Sequence, residues 1–379
     1  MHKEYTVACY YFPNYHVDPR NEAAHGPGWT EWALVNHALP RFPGHRQPLV
    51  PAWGYADEAE PAVMAQKIDA AADHGIDAFI FDWYWYDDGP FLQRALEAGF
   101  LGASNNQRLK FSLMWANHDW VDIMPAKITA TLAQGRTLYP GAVTRQTWDT
   151  VADYIIERYF RHPAYWLIDG CPHFSIYDLT MLMTGLGGVD ATRDAIASLR
   201  AKVKQAGFPD LHLNAVVWSV KLLPGEQILK DPAELLQTLG FDSITSYVWV
   251  HHGALQEFPE TDYNQARDRY LAYWEEAEQS FDLPYFPNVT MGWDPSPRTV
   301  QSDVYVNAGY PYTPILADNT PEQFRTALAL VKARVDARPD QPKIMTINAW
   351  NEWTEGSYLE PDTVHGFGYL AAIRDIFGK

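Results

Sequence analysis

Apolar and polar positions fall into runs of two kinds that take turns along the chain. Near-continuous apolar or β-branched stretches occur at 6–12, 77–83, 110–117, 172–178, 211–217, 243–249, 285–290 and 343–350. Between them the apolar residues recur at helical spacing, over 61–74, 91–100, 147–160, 190–205, 232–239, 264–279 and 321–337, and a last such pattern covers 368–377. Strands that read as unbroken hydrophobic runs, each followed by an amphipathic helix, predict a parallel sheet covered on both faces. Eight such units in succession predict a (β/α)8 TIM barrel, with an open doubly wound sheet as the alternative. Three connections exceed what a minimal barrel needs: 13–60, 118–146 and 291–320. Each follows a strand end, which places it on the face where barrel enzymes build their sites. The expectation is one barrel domain over 1–379 with elaborated loops at its C-terminal face.

Composition narrows the chemistry. The chain has 47 acidic against 29 basic residues, a formal charge of −18, with no Lys/Arg run, so nucleic acid is a poor partner. No apolar stretch approaches the ~18 residues of a membrane span, so membrane insertion is not expected. Cys9 and Cys171, the only cysteines, lie in strand-like segments and read as buried free thiols instead of a disulfide framework. The start of the chain lacks a basic region, an apolar stretch and a small-residue cleavage site, which predicts a cytoplasmic location, or a periplasmic or secreted one if a leader has been removed. Oligomeric state is not legible. Aromatic residues are abundant, with 15 Trp and 22 Tyr, a surplus that suits a carbohydrate cleft.

Those aromatics gather where the predicted strands end. Tyr11 and Asn14 follow the first strand; Asp82, Trp83 and Tyr84 the second; Trp115, Asn117 and His118 the third. Tyr177 follows the fourth, Trp218 the fifth, Tyr247 and His251 the sixth, and Trp293 the seventh. The eighth runs into Trp350-Asn351-Glu352-Trp353-Thr354-Glu355-Gly356. Aromatic faces beside polar groups suit sugar rings and their hydroxyls, although Trp115, Trp218 and Tyr247 equally suit a plug at the top of the barrel. Glu352 and Glu355 are the candidate catalytic pair: splitting a glycosidic bond takes one carboxyl group to exchange a proton with the bridging oxygen and a second to act at the anomeric carbon. The histidines lack the spacings of a metal site, no Gly-x-Ser-x-Gly is present and no Gly-rich phosphate loop follows a strand, so neither a metal nor a cofactor is expected.

With these motifs in view, the chain resembles the glycoside hydrolase family 99-like proteins, in particular their WbsX-type branch, related to endo-α-mannosidases and endo-α-mannanases. The resemblance rests on Tyr10-Tyr11-Phe12-Pro13-Asn14-Tyr15-His16, Gly28-Trp29-Thr30-Glu31-Trp32, the segment 40–48, Trp115-Ala116-Asn117-His118-Asp119-Trp120, and the last strand's Trp-Asn-Glu-Trp-Thr-Glu-Gly. The chain departs from the branch at His118 and Asp119, where Glu and Asn are usual, and at Asn14, where Gln is usual. The resemblance implies a metal-free barrel that cleaves α-linked sugars with retention, and it adds Trp32 to the candidate sugar contacts. By the same carry-over, Glu352 takes the proton of the substrate's own 2-hydroxyl to give a 1,2-anhydro sugar, and Glu355 is general acid and then base. The expected substrate is an α-mannoside or related unit of a bacterial oligosaccharide or polysaccharide. Two alternatives stand beside this: a glycosyltransferase or transglycosylase of surface-polysaccharide biosynthesis, and a non-catalytic carbohydrate-binding barrel.

Overall fold

The computed structural model describes residues 4–218 and 232–378. Among these residues nine parallel strands form the central sheet: β1 (Thr6–Tyr11), β2 (Ala78–Tyr86), β3 (Lys110–Trp115), β4 (Cys171–Ile176), β5 (His212–Val216), β6 (Ser243–Thr245), β7 (Tyr285–Phe286), β8 (Asn288–Thr290) and β9 (Ile344–Asn348). They are almost wholly buried, all nine residues of β2 included, because helices cover one face and the barrel interior the other. Thr6 to Cys9 pair in register with Ile344 to Ile347, so the first and last strands lie side by side and close a (β/α)8 TIM barrel. The seventh barrel position is split: β7 pairs with β6 and β8 with β9. Pro287, between the two pieces, has no N–H for the ladder.

Among the described residues ten α-helices accompany the strands: α1 (Pro19–His25), α2 (Trp32–His37), α3 (Pro61–Asp73), α4 (Arg145–Ile155), α5 (Leu179–Leu186), α6 (Val189–Gln205), α7 (Pro232–Leu239), α8 (Tyr263–Ser280), α9 (Pro321–Asp336) and α10 (Gly368–Phe377). Local chemistry fixes their starts. Pro61 and Pro321 occupy first-turn positions, and Thr144, Asp262 and Thr320 each accept a backbone N–H from the first turn. None is long and apolar enough to cross a membrane among the described residues.

Several elements differ from the sequence expectation. The sixth strand ends at Thr245 and Trp249–His251 form a 3-10 turn, in which Trp249 is buried and its indole N–H donates to Asn288 O. The helix expected over 91–100 shrinks to a wide turn at Ala95–Phe100, since Gly89–Phe91 folds back as a short antiparallel strand on β2. Cys171 opens β4 at the barrel's outer end and is half-buried, not buried. The long connections carry structure of their own: α1 and α2 within 13–60, an antiparallel pair Trp120–Val121 with Thr137–Tyr139 within 118–146, and Ile315–Ala317, which pairs with Glu260–Asp262.

Candidate active site

The C-terminal ends of the strands enclose a cavity of about 780 Å³. Glu352 and Glu355 both line it, and the backbone explains why. After β9 the chain forms a two-residue bridge, Asn351–Glu352 against Ser357–Tyr358, around a 3-10 turn at Trp353–Glu355. In 3-10 geometry residues three apart eclipse, so the turn brings the two glutamates onto one side. Gly356 ends it with φ +63°, and a Cβ there would lie 2.7 Å from the Asp294 Cβ.

Both carboxylates meet one guanidinium. Arg298, 5% exposed, reaches Glu355 Oε1 through Nη1 at 2.5 Å and Glu352 Oε2 through Nη2 at 3.2 Å, while its Nε donates to Glu31 Oε1 at 2.9 Å. Glu31 lies just ahead of α2, is fully buried, and accepts from Asn14 Nδ2 at 2.5 Å and from the Thr354 hydroxyl. Tyr310 donates to Glu355 Oε1 at 2.7 Å. Across the cavity, the Tyr247 hydroxyl lies 2.8 Å from Asp82 Oδ2 and 3.0 Å from Glu352 Oε1.

Glu31, Glu352 and Glu355 therefore share one cation in a desolvated space, and burial raises the proton affinities of Glu352, Glu355 and nearby Asp82. Burial pushes Glu352 well above the usual carboxylate range, the Glu355 charge adds to this, and Arg298 opposes it. Burial also raises Glu355, but Arg298 and then the Tyr310 hydrogen bond pull it back. Asp82 is pushed well above its ordinary value by burial, against the Tyr247 hydrogen bond.

Aromatic and imidazole rings form the walls. Trp218 stacks on His251 at 4.4 Å and 9°, with Tyr177 edge-on to Trp218 at 5.0 Å; opposite, Tyr84 meets Trp120 edge-on at 5.3 Å and His118 at 5.9 Å. Burial lowers His118, and takes His251 to about 4, so His251 is neutral at ordinary pH. Trp293 lies beside Tyr310 at 6.0 Å.

Of the residues singled out in the sequence, Asp82, Tyr84, His118, Tyr177, Trp218, Tyr247, His251, Trp293, Glu352 and Glu355 line this cavity. Nine others, expected as sugar contacts, stand outside its lining, and all but Trp83 hydrogen-bond inside the protein. Tyr11 donates to Glu58 and accepts from Lys67; Asn14 binds Glu31 and Asn21; Trp32 donates to Ala56 O. Trp83 is buried against Trp85, Trp115 donates to Trp85 O, and Asn117 bridges to the Asp178 backbone. Asn351 ties down the Phe12 backbone, while Trp350 and Trp353 both donate to Glu360, at 2.9 and 2.7 Å. The sequence reading missed Arg298, Tyr310 and Glu31. A lone arginine in Pro295-Ser296-Pro297-Arg298, in a long connection after a strand, was the available signal.

Residues 7–373 match the family model described as glycosyltransferase WbsX. The "uncharacterized protein WxcX" of Xanthomonas campestris pv. campestris is 28% identical over 379 residues, covering 97% of this chain and 49% of WxcX. The chain thus spans about half the length of the curated relatives it matches. Among solved structures, the GH99 endo-α-mannosidase from Bacteroides thetaiotaomicron superposes with a TM-score of 0.56 at 15% identity, over 97% of this chain and 94% of that one. A protein described as glycoside hydrolase-like reaches 0.63 at 14% identity, over 100% and 95%. At these identities the likeness is one of fold.

Proposed function

This chain belongs to the WbsX family, and from its cleft we propose that it is a retaining glycoside hydrolase acting on α-linked sugars, with Glu352 and Glu355 as its catalytic pair. The observation that carries the reading is the pair itself: two buried carboxyl groups on one side of a cavity whose walls offer Trp, Tyr and His faces to a sugar ring. The family resemblance supplies the division of work. Glu355 gives its proton to the glycosidic oxygen while Glu352 removes the proton of the 2-hydroxyl, whose oxygen displaces the leaving group at C1 and closes a 1,2-anhydro ring. Water then opens that ring at C1 as Glu355 takes the water's proton and Glu352 returns its own to the 2-oxygen. Two inversions leave the anomeric configuration unchanged, and the glutamates perform every proton transfer, so the reading calls for no metal. The GH99 neighbour, described as an endo-α-mannosidase, motivates an α-mannoside or related unit of a bacterial polysaccharide as substrate.

The family's description as a glycosyltransferase favours a second reading, in which a sugar hydroxyl replaces water in the second step. One experiment covers both. Wild type, Glu352→Gln and Glu355→Gln are offered α-configured aryl glycosides and α-linked oligosaccharides, with and without acceptor sugars, and product anomers are followed by NMR. Each substitution is expected to lower turnover by about 10²–10⁴-fold, with α-product released first. Product that appears only with an acceptor assigns the transferase; unaltered sugar binding with no turnover by any form leaves a carbohydrate-binding barrel.

A further inference from the structure

Tyr247 has one hydroxyl proton and two carboxyl neighbours, Asp82 Oδ2 at 2.8 Å and Glu352 Oε1 at 3.0 Å. A phenol donates once, so both contacts are hydrogen bonds only when one carboxyl group is itself protonated and donates to the Tyr247 oxygen. The two ends differ. Asp82 Oδ1 is buried and has no hydrogen-bond partner among the described residues, a costly position for an ionised carboxylate. Glu352 Oε2, by contrast, faces Arg298 Nη2 at 3.2 Å.

We propose that Asp82 and Glu352 share one proton through the Tyr247 hydroxyl, making Asp82 a positioning residue that sets the charge of Glu352. The transfer is balanced: the O–H bond of Glu352 breaks as its proton passes to the Tyr247 oxygen, and the phenolic proton of Tyr247 passes to Asp82 Oδ2. Charge and proton count are unchanged. The functional meaning rests on the catalytic reading of Glu352. A base must be ionised before it acts, whereas burial and the Glu355 charge favour a protonated Glu352. A neutral Asp82 removes one of the negative charges facing Glu352 and leaves Arg298 opposite an ionised one.

The groups facing this chain are few. Glu355, Glu31 and Arg298 stand on the Glu352 side; Tyr84, Tyr177, Tyr10 and Cys9 surround Asp82; Tyr15 faces Glu352, and His251 lies beside Tyr247. Burial raises the phenols and the thiol and lowers His251, which keeps them neutral at physiological pH and leaves the proton to the carboxyl groups.

The test needs no substrate. Infrared difference titration follows the acid C=O stretch in protein carrying carbon-13 in Asp or in Glu carboxyls, for wild type, Asp82→Asn and Tyr247→Phe. The expected results are an Asp acid band at neutral pH that Asp82→Asn removes, and a Glu352 titration lowered by at least about one pH unit in that variant. In Tyr247→Phe, which keeps its ring on Tyr10 at 4.7 Å, the Glu352 acid band should persist to higher pH. No Asp acid band in wild type, or a Glu352 titration unmoved by both substitutions, overturns the proposal. Should Asp82→Asn fail to fold, Tyr247→Phe alone decides. Absence of wild-type turnover on the glycoside panel counts against the glycosidase reading, and the infrared result stands apart from it.

Discussion

Arg298 concentrates the electrostatics of the cleft in one side chain. It is buried, packs over the Phe12 ring at 5.3 Å, and meets Glu31, Glu352 and Glu355. Removing one partner from a buried ionic group strands the others, so Arg298→Met is expected to destabilise the protein by about 3–5 kcal/mol in urea unfolding. Tyr310→Phe is gentler and more informative. The Tyr310 hydrogen bond holds the Glu355 proton affinity down, so losing it moves that affinity up. If Glu355 is the general acid, the alkaline limb of the kcat profile then shifts to higher pH; an unmoved limb would argue for a different acid. The glutamates were legible in the sequence because they sit three apart beside tryptophans at a strand end. Arg298 and Glu31 were not, because their meaning depends on a contact between residues 267 positions apart. The nine candidates outside the lining carry the complementary lesson: an aromatic or amide at a strand end points either into the cleft or into its foundations, and its place in the sequence does not distinguish the two.

At the scale of elements, the turn that holds the glutamates is built on close backbone approaches. A Cβ on Gly292 would lie 2.3 Å from the Gly356 carbonyl, and one on Gly356 would lie 3.0 Å from the Asp294 nitrogen at a left-handed φ. Gly356→Ala should therefore cost about 1–3 kcal/mol in thermal or urea unfolding. Its turnover should fall more than its sugar affinity, because the turn carries Glu355 and the aromatic walls do not depend on it. Equal losses in both would place the strain elsewhere. Most barrel strands and crossover helices were readable from periodicity alone, since the strands are buried almost throughout and the helices along one recurring face. The failures lie where a second constraint competes: Pro287 divides a strand, and the segment after Thr245 turns to cap the core instead of extending the sheet. The α5 helix went unread: it is eight residues long, and its apolar residues Leu179, Leu182, Met183 and Leu186 follow directly on a strand end.

For the whole molecule, acid sensitivity is built into buried neutral histidines. His252 stacks on Tyr273 at 3.8 Å, both ring nitrogens lack partners among the described residues, and burial holds its affinity well below the ordinary value near 6.5. The unfolded chain binds this proton first as pH falls, so stability contributed by a neutral His252 is present above about 6.5 and lost below it. His252→Phe keeps the stacking and loses the titration. Between pH 7 and pH 5 the wild type should lose up to about 2 kcal/mol more unfolding free energy than the variant, by urea denaturation at each pH. Parallel losses would show that the ring charges without penalty.

The pairing of Thr6–Cys9 with Ile344–Ile347 has a consequence for how the protein is made. Synthesis runs from the amino end, and β1 gains its partner β2 early, whereas its other edge stays unpaired until the last strand leaves the ribosome. That edge is apolar and free of proline, a template for pairing with another chain. Glu352 and Glu355 arrive just behind the strand that covers it. A nascent chain is thus without its carboxylate pair for the same interval in which it is most exposed to aggregation, and both conditions end together.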